Sequence, residues 1–394
     1  MLKKSAGIII FGLVLFCLYE YLSAPVFWKR FVAMFTSSGK GAYSSVFEPT
    51  EAVRQAERVF EIPVASPEER TISNDALKKV TAYAADFDSF ALIVVHKGKV
   101  QLEWYAEGYD RDRLTQSQSM HKSLQAFLIG VALEEGLIGS IDDSIGDYIE
   151  ELAGDNRGRV SIYNYLIMAS GLKNLSADFS PWGEAFRWLF DDDTVTATIS
   201  YPQVRPAGKT FEYNDLNAQT LGILLSRVTG KRYVDYLYEK LWNPMGGQAA
   251  RVWLDHEGGE AMHNCCLLAP AMDWARIGLV MLHEGEINGR RLVSADWIRR
   301  MRTPSKLSPH YGLQTWITSN EHLNERASAG GYRRTEKWLA DDIYYFSGYG
   351  AQRVYVSNAK KLVVVRLGPA AGYFPRIIEE WDNTFIVNTL IRGM

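Results

Sequence analysis

Strand-forming runs lie at both ends of a long helical stretch, and this order restricts the chain to few architectures. Phe90 to His96 and Val100 to Tyr105 are rich in β-branched and aromatic residues and are joined by Lys97, Gly98 and Lys99, the pattern of a hairpin. From Ser119 to about Trp274 helical spacing dominates, interrupted by loops such as Leu172 to Pro181. Strand runs return at Tyr311 to Ile317, Ile343 to Phe346, Gln352 to Val356 and Leu362 to Leu367, and a last helix is predicted from Phe374 to Ile391. This order implies an α+β fold in which both ends of the domain complete one antiparallel sheet, with the helices inserted between them. With 394 residues, 47% of them hydrophobic, the chain can bury such a core.

A net charge of -3, from 43 basic and 46 acidic side chains, gives no electrostatic reason to expect nucleic acid as a partner. A small molecule is the expected ligand. Cys17 sits in an apolar run, and Cys265 and Cys266 are adjacent, a spacing that strains a disulfide; the pair reads as two small buried hydrophobes. The seven histidines form no HExxH-like cluster, so neither a metal nor another cofactor is expected. No internal repeat or low-complexity segment occurs.

Lys3 and Lys4 precede an apolar run from Ala6 to Tyr19 that continues to Trp28 with Glu20 its only charge. Cleavage after Ala24 would put Leu22 where a small residue is needed and Pro25 directly after the cut. With Trp28, Lys29 and Arg30 as an interfacial flank, residues 1–30 read as an uncleaved signal anchor or transmembrane helix, with the catalytic domain outside the cytoplasm. Residues 31–75, with a Ser/Gly stretch from Ser37 to Ser45 and Pro49, Pro63 and Pro67, read as a spacer. The domain proper is expected over 76–394.

Ser-x-x-Lys sets a hydroxyl and an amine one helical turn apart, where a neutral lysine can take the serine's proton. It occurs at Ser37/Lys40, Ser119/Lys122, Ser170/Lys173 and Ser357/Lys360. The first falls in the spacer, the third is broken by Gly171, and the fourth lies in a turn between strands. Only Ser119 opens a buried helix, marked by Met120, Leu124, Phe127, Leu128, Val131 and Leu133. The positive end of that helix favours negative charge at the serine and disfavours protonation of Lys122. Without further context, a helix-capping serine with an exposed lysine fits the same residues. No Gly-x-Ser-x-Gly elbow is present, which argues against an α/β-hydrolase.

Three segments taken together carry more information. They are Ser119-Met120-His121-Lys122; Phe211-Glu212-Tyr213-Asn214-Asp215 after Pro206-Ala207-Gly208; and Ser347-Gly348-Tyr349-Gly350-Ala351-Gln352 leading into late strands. Leu166 to Leu172 and Asp273 to Gly278 support them. In this order the chain resembles the serine β-lactamase and penicillin-binding protein superfamily, in its class C-like branch with carboxylesterases and 6-aminohexanoate-dimer hydrolase. The resemblance implies a β-lactamase/transpeptidase-like fold and assigns Ser119 as nucleophile, Lys122 as base or proton relay and Tyr213 as the phenol serving the leaving group. It also implies an oxyanion hole from the N–H groups of Ser119 and Tyr349, with Gly348 matching the glycine of the family's Lys-Thr-Gly. The phenol is inert at neutral pH unless a cation such as Lys122 stabilises its anion, so hydroxyl, amine and phenol must converge.

Two departures bear on substrate. Phe346 stands where β-lactamases keep a lysine, and Asp215 where asparagine is usual; Arg353 is the remaining candidate for the lost cation. Small esters and linear amides are therefore expected ahead of β-lactams. A β-lactamase or D-alanyl-D-alanine peptidase is the alternative within catalysis, and a non-catalytic cell-envelope binding protein the alternative outside it.

Overall fold

The computed structural model describes residues 2–36, 48–176, 178, 180–320, 332–369 and 376–394. The early hairpin pairs β1 (Ala91–His96) with β2 (Lys99–Tyr105) across Lys97 and Gly98, whose φ angles are 53° and 78°. Positive φ at both central residues gives a two-residue turn whose twist matches that of its strands. The late strands are β3 (Trp316–Ile317), β4 (Tyr344–Gly348), β5 (Gln352–Ser357) and β6 (Leu362–Leu367). They join the hairpin in one antiparallel sheet of order β2-β1-β6-β5-β4-β3, with Ala91 opposite Leu367 and His96 opposite Leu362. Both ends of the domain thus meet at the β1–β6 seam.

The sheet is covered on both faces, so β1, β5 and β6 are buried along their whole length instead of alternating. On one face Ile93, Phe346, Val354 and Val363 join the main core with the inserted helices. There α6 (Ala271–Leu282) lies close to the strands because of Gly278, where an added Cβ would sit 2.4 Å from a methyl of Val363. On the other face Val94, Tyr345, Tyr355 and Val364 pack with the terminal helices α3 (Asn74–Asp86) and α7 (Phe385–Arg392). In the inserted block, α4 (His121–Glu134) and α5 (Asp215–Thr229) form the buried centre. A second small sheet links Thr50–Val53, Ala250–Trp253, Leu267–Ala269 and Thr115–Gln116, in that order.

Several expectations need correction. The strand predicted from Tyr311 is reduced to Trp316–Ile317, because the chain before it folds back and Gly312 N–H donates to the Thr315 carbonyl at 2.9 Å. The last helix is broken into Arg376–Glu380 and α7, with 374–375 outside the described residues. Between them the Asp382 carboxylate accepts from the Thr384 N–H at 2.9 Å and its hydroxyl at 2.7 Å, a side-chain turn that replaces helical bonding. Cys265 and Cys266 are buried as expected, but they are joined to each other as a disulfide.

The expected membrane anchor is not supported: among the described residues no helix is long and apolar enough to cross a membrane. The side chains of 1–10 are outside the described set. Helix α1 (Leu2–Ser23) leads into α2 (Pro25–Thr36), which packs on the domain. Arg30, read as part of an interfacial flank, is instead buried against the domain. Phe27 is buried against Phe190, and Arg187 stacks 4.1 Å above its ring while pairing with Glu20 at 3.0 Å. Arg30 is 2% exposed; it donates to the carbonyls of Asp191 at 2.9 Å and Leu254 at 3.1 Å, and it stacks over Trp253. Burial lowers its pKa to about 10, against the raising effect of Asp255, so it stays charged. Much of the expected spacer is structural as well: Thr50–Val53 pairs with Ala250–Trp253, and Ile62 lies in the main core.

Removing residues 1–30 should therefore lower the melting midpoint by several degrees, since carbonyls around Asp191 and Asp255 lose a charged donor and Phe190 loses its cover. Removing only residues 1–23 should leave it nearly unchanged. Thermal unfolding of the two truncated proteins beside the full chain checks this.

Candidate active site

Ser119 precedes α4 by a single 3₁₀ turn, Gln118–Met120, so the helix starts two residues later than the sequence pattern suggests. Gln118 holds a φ of 49°, a left-handed conformation unfavourable for a side chain, and it tips Ser119 out of the helix path. The serine and lysine still meet: Lys122 Nζ donates to Ser119 Oγ at 2.7 Å. Among the described residues the other Ser-x-x-Lys pairs make no such contact. Ser170 Oγ accepts from Leu172 N–H and Lys173 pairs with Glu184, while Ser357 Oγ donates to Asp342 at 2.6 Å. Ser37/Lys40 lies outside the described residues.

Lys122 is 1% exposed, and a buried ammonium must place all three of its N–H groups. Besides Ser119 they reach the Asn264 carbonyl at 2.6 Å and Asp215 Oδ1 at 2.7 Å. Tyr213 lies alongside, its ring centroid 5.2 Å from Nζ, backed by Trp316 and Tyr311. Burial pulls the Lys122 pKa down, but the Asp215 carboxylate and the Tyr213 phenol outweigh it, and the net shift is upward. The resting amine is an ammonium. The helix-end effect expected to neutralise it is overridden by Asp215, the first residue of α5, which Asn214 caps by accepting from Leu216 N–H at 2.9 Å.

Sequence reasoning missed the support for Asn264. Its loop is held from beneath by side chains of the two central helices: His121 binds the Cys265 carbonyl, Gln125 donates to that of His263, and Gln219 accepts from His263 N–H at 2.8 Å. His121 also meets the Tyr233 hydroxyl at 2.7 Å, and burial lowers its pKa to about 3, so it is a neutral strut rather than a base. The one available sequence signal was polarity at positions of α4 that the helical pattern marks as buried.

The other expected site residues lie around the serine. An added Cβ on Gly348 would sit 2.4 Å from the Ser117 carbonyl, so only glycine lets the end of β4 close on the Ser119 turn. Tyr349 follows, 46% exposed at the mouth. Phe346 is 1% exposed and belongs to the main core, so no cation stands in that position. Arg353 does not replace one: it is fully buried on the opposite face of the sheet, stacked 4.5 Å over Tyr332. The expected substitute cation is thereby corrected, because strand alternation turns Arg353 away from Phe346 and Val354.

Between the sheet and the inserted helical block, a hydroxyl thus touches a buried amine, with a phenol beside it and a glycine-edged strand closing on the serine turn. The chain belongs to the β-lactamase family, whose profile matches residues 77–376. A curated relative, the 6-aminohexanoate-dimer hydrolase of Paenarthrobacter ureafaciens, is 26% identical over 272 residues, covering 63% of this chain and 69% of its own. Among solved structures, a family VIII carboxylesterase superposes with a TM-score of 0.60 at 15% identity, covering 84% of this chain and 99% of its own. The class C β-lactamase of Rhodobacter sphaeroides gives 0.57 at 16% identity, covering 81% and 99%. These two likenesses show the β-lactamase/transpeptidase-like fold.

The raised Lys122 pKa has a kinetic consequence. If Lys122 is the base that takes the Ser119 proton, as the resemblance implies, it must first lose its own, so kcat/KM should climb as pH rises above neutral. Asp215→Asn removes the charge that raises the pKa and should move that limb to lower pH. A pH–rate profile of the two proteins checks the direction.

Proposed function

We propose that the protein is a serine hydrolase that cleaves small esters or linear amides through an acyl-enzyme on Ser119. The observation that carries this reading is the 2.7 Å contact between Lys122 Nζ and Ser119 Oγ, at an amine enclosed by Asp215, Asn264 and the Tyr213 ring. Ser119 Oγ attacks the substrate carbonyl as its proton passes to the basic form of the Lys122–Tyr213 pair. The developing oxyanion is received by the N–H groups of Ser119 and Tyr349. Collapse breaks the bond to the alcohol or amine, which leaves with the proton delivered through Tyr213. Water then adds to the acyl-enzyme by the same proton route, releasing the acid and restoring Ser119.

Substrate preference follows from charge. With Phe346 in the core and Arg353 turned away, neither of these positions offers a cation for a carboxylate, and Asp215, whose side chain is 39% exposed, disfavours an anion. After solvent screening that repulsion costs an anionic substrate roughly 1 kcal/mol. A lysine at 346 would be buried among apolar side chains, so Asp215→Asn is the better test. It should improve KM for carboxylate-bearing substrates about fivefold and leave the KM of neutral esters nearly unchanged, while the pH–rate limb moves for both.

A fluorophosphonate should label Ser119 alone in intact-mass and peptide analysis, and Lys122→Ala should lower kcat by about a thousandfold or more. p-Nitrophenyl acetate should turn over well ahead of a chromogenic cephalosporin. Equal rates on the two would favour the β-lactamase reading, and absence of labelling would favour a non-catalytic binder.

A further inference from the structure

Two guanidinium groups lie under the turn that follows β4. Arg353 and Arg366 are cross-strand neighbours on β5 and β6, both fully buried. Among the described residues their hydrogen bonds go to neutral acceptors. Arg353 Nη1 donates to the Gly348 carbonyl at 3.3 Å and the Gln352 carbonyl at 2.8 Å, and Nε to Asn383 Oδ1 at 3.1 Å. Arg366 donates to the Gly350 carbonyl, to Ser89 Oγ at 2.7 Å and to the Phe87 carbonyl at 2.9 Å. The Tyr332 hydroxyl, on the ring over which Arg353 stacks, accepts from Gly350 N–H at 2.9 Å and Ala351 N–H at 2.8 Å. The turn from Gly348 to Gln352 is therefore gripped at both ends and in the middle. Two like charges buried side by side are costly for a fold that needs only a turn held in place.

The grip has a chemical meaning because the Gly348 carbonyl and the Tyr349 N–H belong to one peptide unit. A cation donating to an amide oxygen draws electron density from the nitrogen and makes its N–H a stronger donor, an effect enlarged where water is excluded. We propose that Arg353, backed by Arg366, is a positioning residue for the oxyanion hole: it fixes the plane of the Gly348–Tyr349 peptide and polarises the N–H that faces the developing oxyanion. This rests on the reading of Tyr349 as an oxyanion donor and of Ser119 as the nucleophile. The cation missing from the substrate side of β4 is thus matched by a pair on its far side, where they act on transition-state charge without contacting substrate.

The test compares the full chain with Arg353→Gln and Arg353→Lys, on p-nitrophenyl acetate and with an alkyl boronic acid that forms a tetrahedral adduct. Arg353→Gln should lower kcat about tenfold to a hundredfold, keep KM within about twofold, and weaken boronate inhibition in parallel with kcat. Arg353→Lys keeps the charge but not the planar group whose Nη1 reaches both carbonyls while Nε reaches Asn383, and its kcat should fall between the other two. A folded glutamine variant with kcat within about twofold of the parent overturns the proposal, as does a loss shared equally by KM and kcat. So does a lysine variant no better than glutamine, since a merely structural defect would not respond to charge. If the glutamine variant does not fold, the lysine variant decides: a lowered kcat at constant KM supports the role, and an unchanged kcat overturns it. Fluorophosphonate labelling of the parent separates the two levels. An unlabelled Ser119 removes the catalytic reading itself, whereas labelled Ser119 with indifferent Arg353 variants removes only this inference.

Discussion

A charged amine buried where three parts of the chain meet is the constraint around which the site is organised. Lys122 stands on α4, Asp215 opens α5, and Asn264 belongs to the loop that enters the second small sheet. If any of the three shifts, an N–H of the ammonium loses its acceptor inside the protein, at a cost of about 1–3 kcal/mol. The neighbouring features follow from that demand. His121, Gln125 and Gln219 are buried polar groups on the two central helices, and they hold the Asn264 loop against the lysine. The second small sheet brings Thr115–Gln116, just before Ser119, next to Leu267–Ala269, just after that loop.

The sequence disclosed side chains that act through residue type and spacing. The hairpin at Lys97-Gly98, the antiparallel sheet shared between both ends, and the single Ser-x-x-Lys pair at the start of a buried helix were all legible, because turn chemistry and periodicity write them locally. Order along the chain brought Tyr213, Asp215 and Gly348 to the same place. Interactions made by backbone atoms were not legible. The Asn264 carbonyl has no residue signature, since every residue carries one, and nothing near Cys265 marks that stretch as a lysine's acceptor.

Direction was the other source of error. Arg353 was recognised as a candidate cation, yet which face of β5 it occupies depends on register with β4, where it lies opposite Ser347 and not Phe346. Arg30 was read by its neighbours in sequence, as part of an aromatic and basic flank. Its partners, Asp191, Leu254 and Asp255, come from distant segments and supply acceptors that a local reading could not see. Both arginines are buried cations whose hydrogen bonds go to carbonyl oxygens of distant residues, an arrangement that sequence neighbours do not betray.

The β1–β6 seam also sets the order in which the molecule can be made. Ala91 pairs with Leu367, so during synthesis the hairpin leaves the ribosome long before its central neighbour exists, and one edge of β1 stays open while the whole helical block is translated. That edge belongs to a strand apolar from Ala91 to Val95, of the kind that recruits other chains. The helical block can settle early around local contacts, but Gly348 cannot reach Ser117 until the late strands arrive. The site of a nascent chain should accordingly stay incomplete until those late strands have been added.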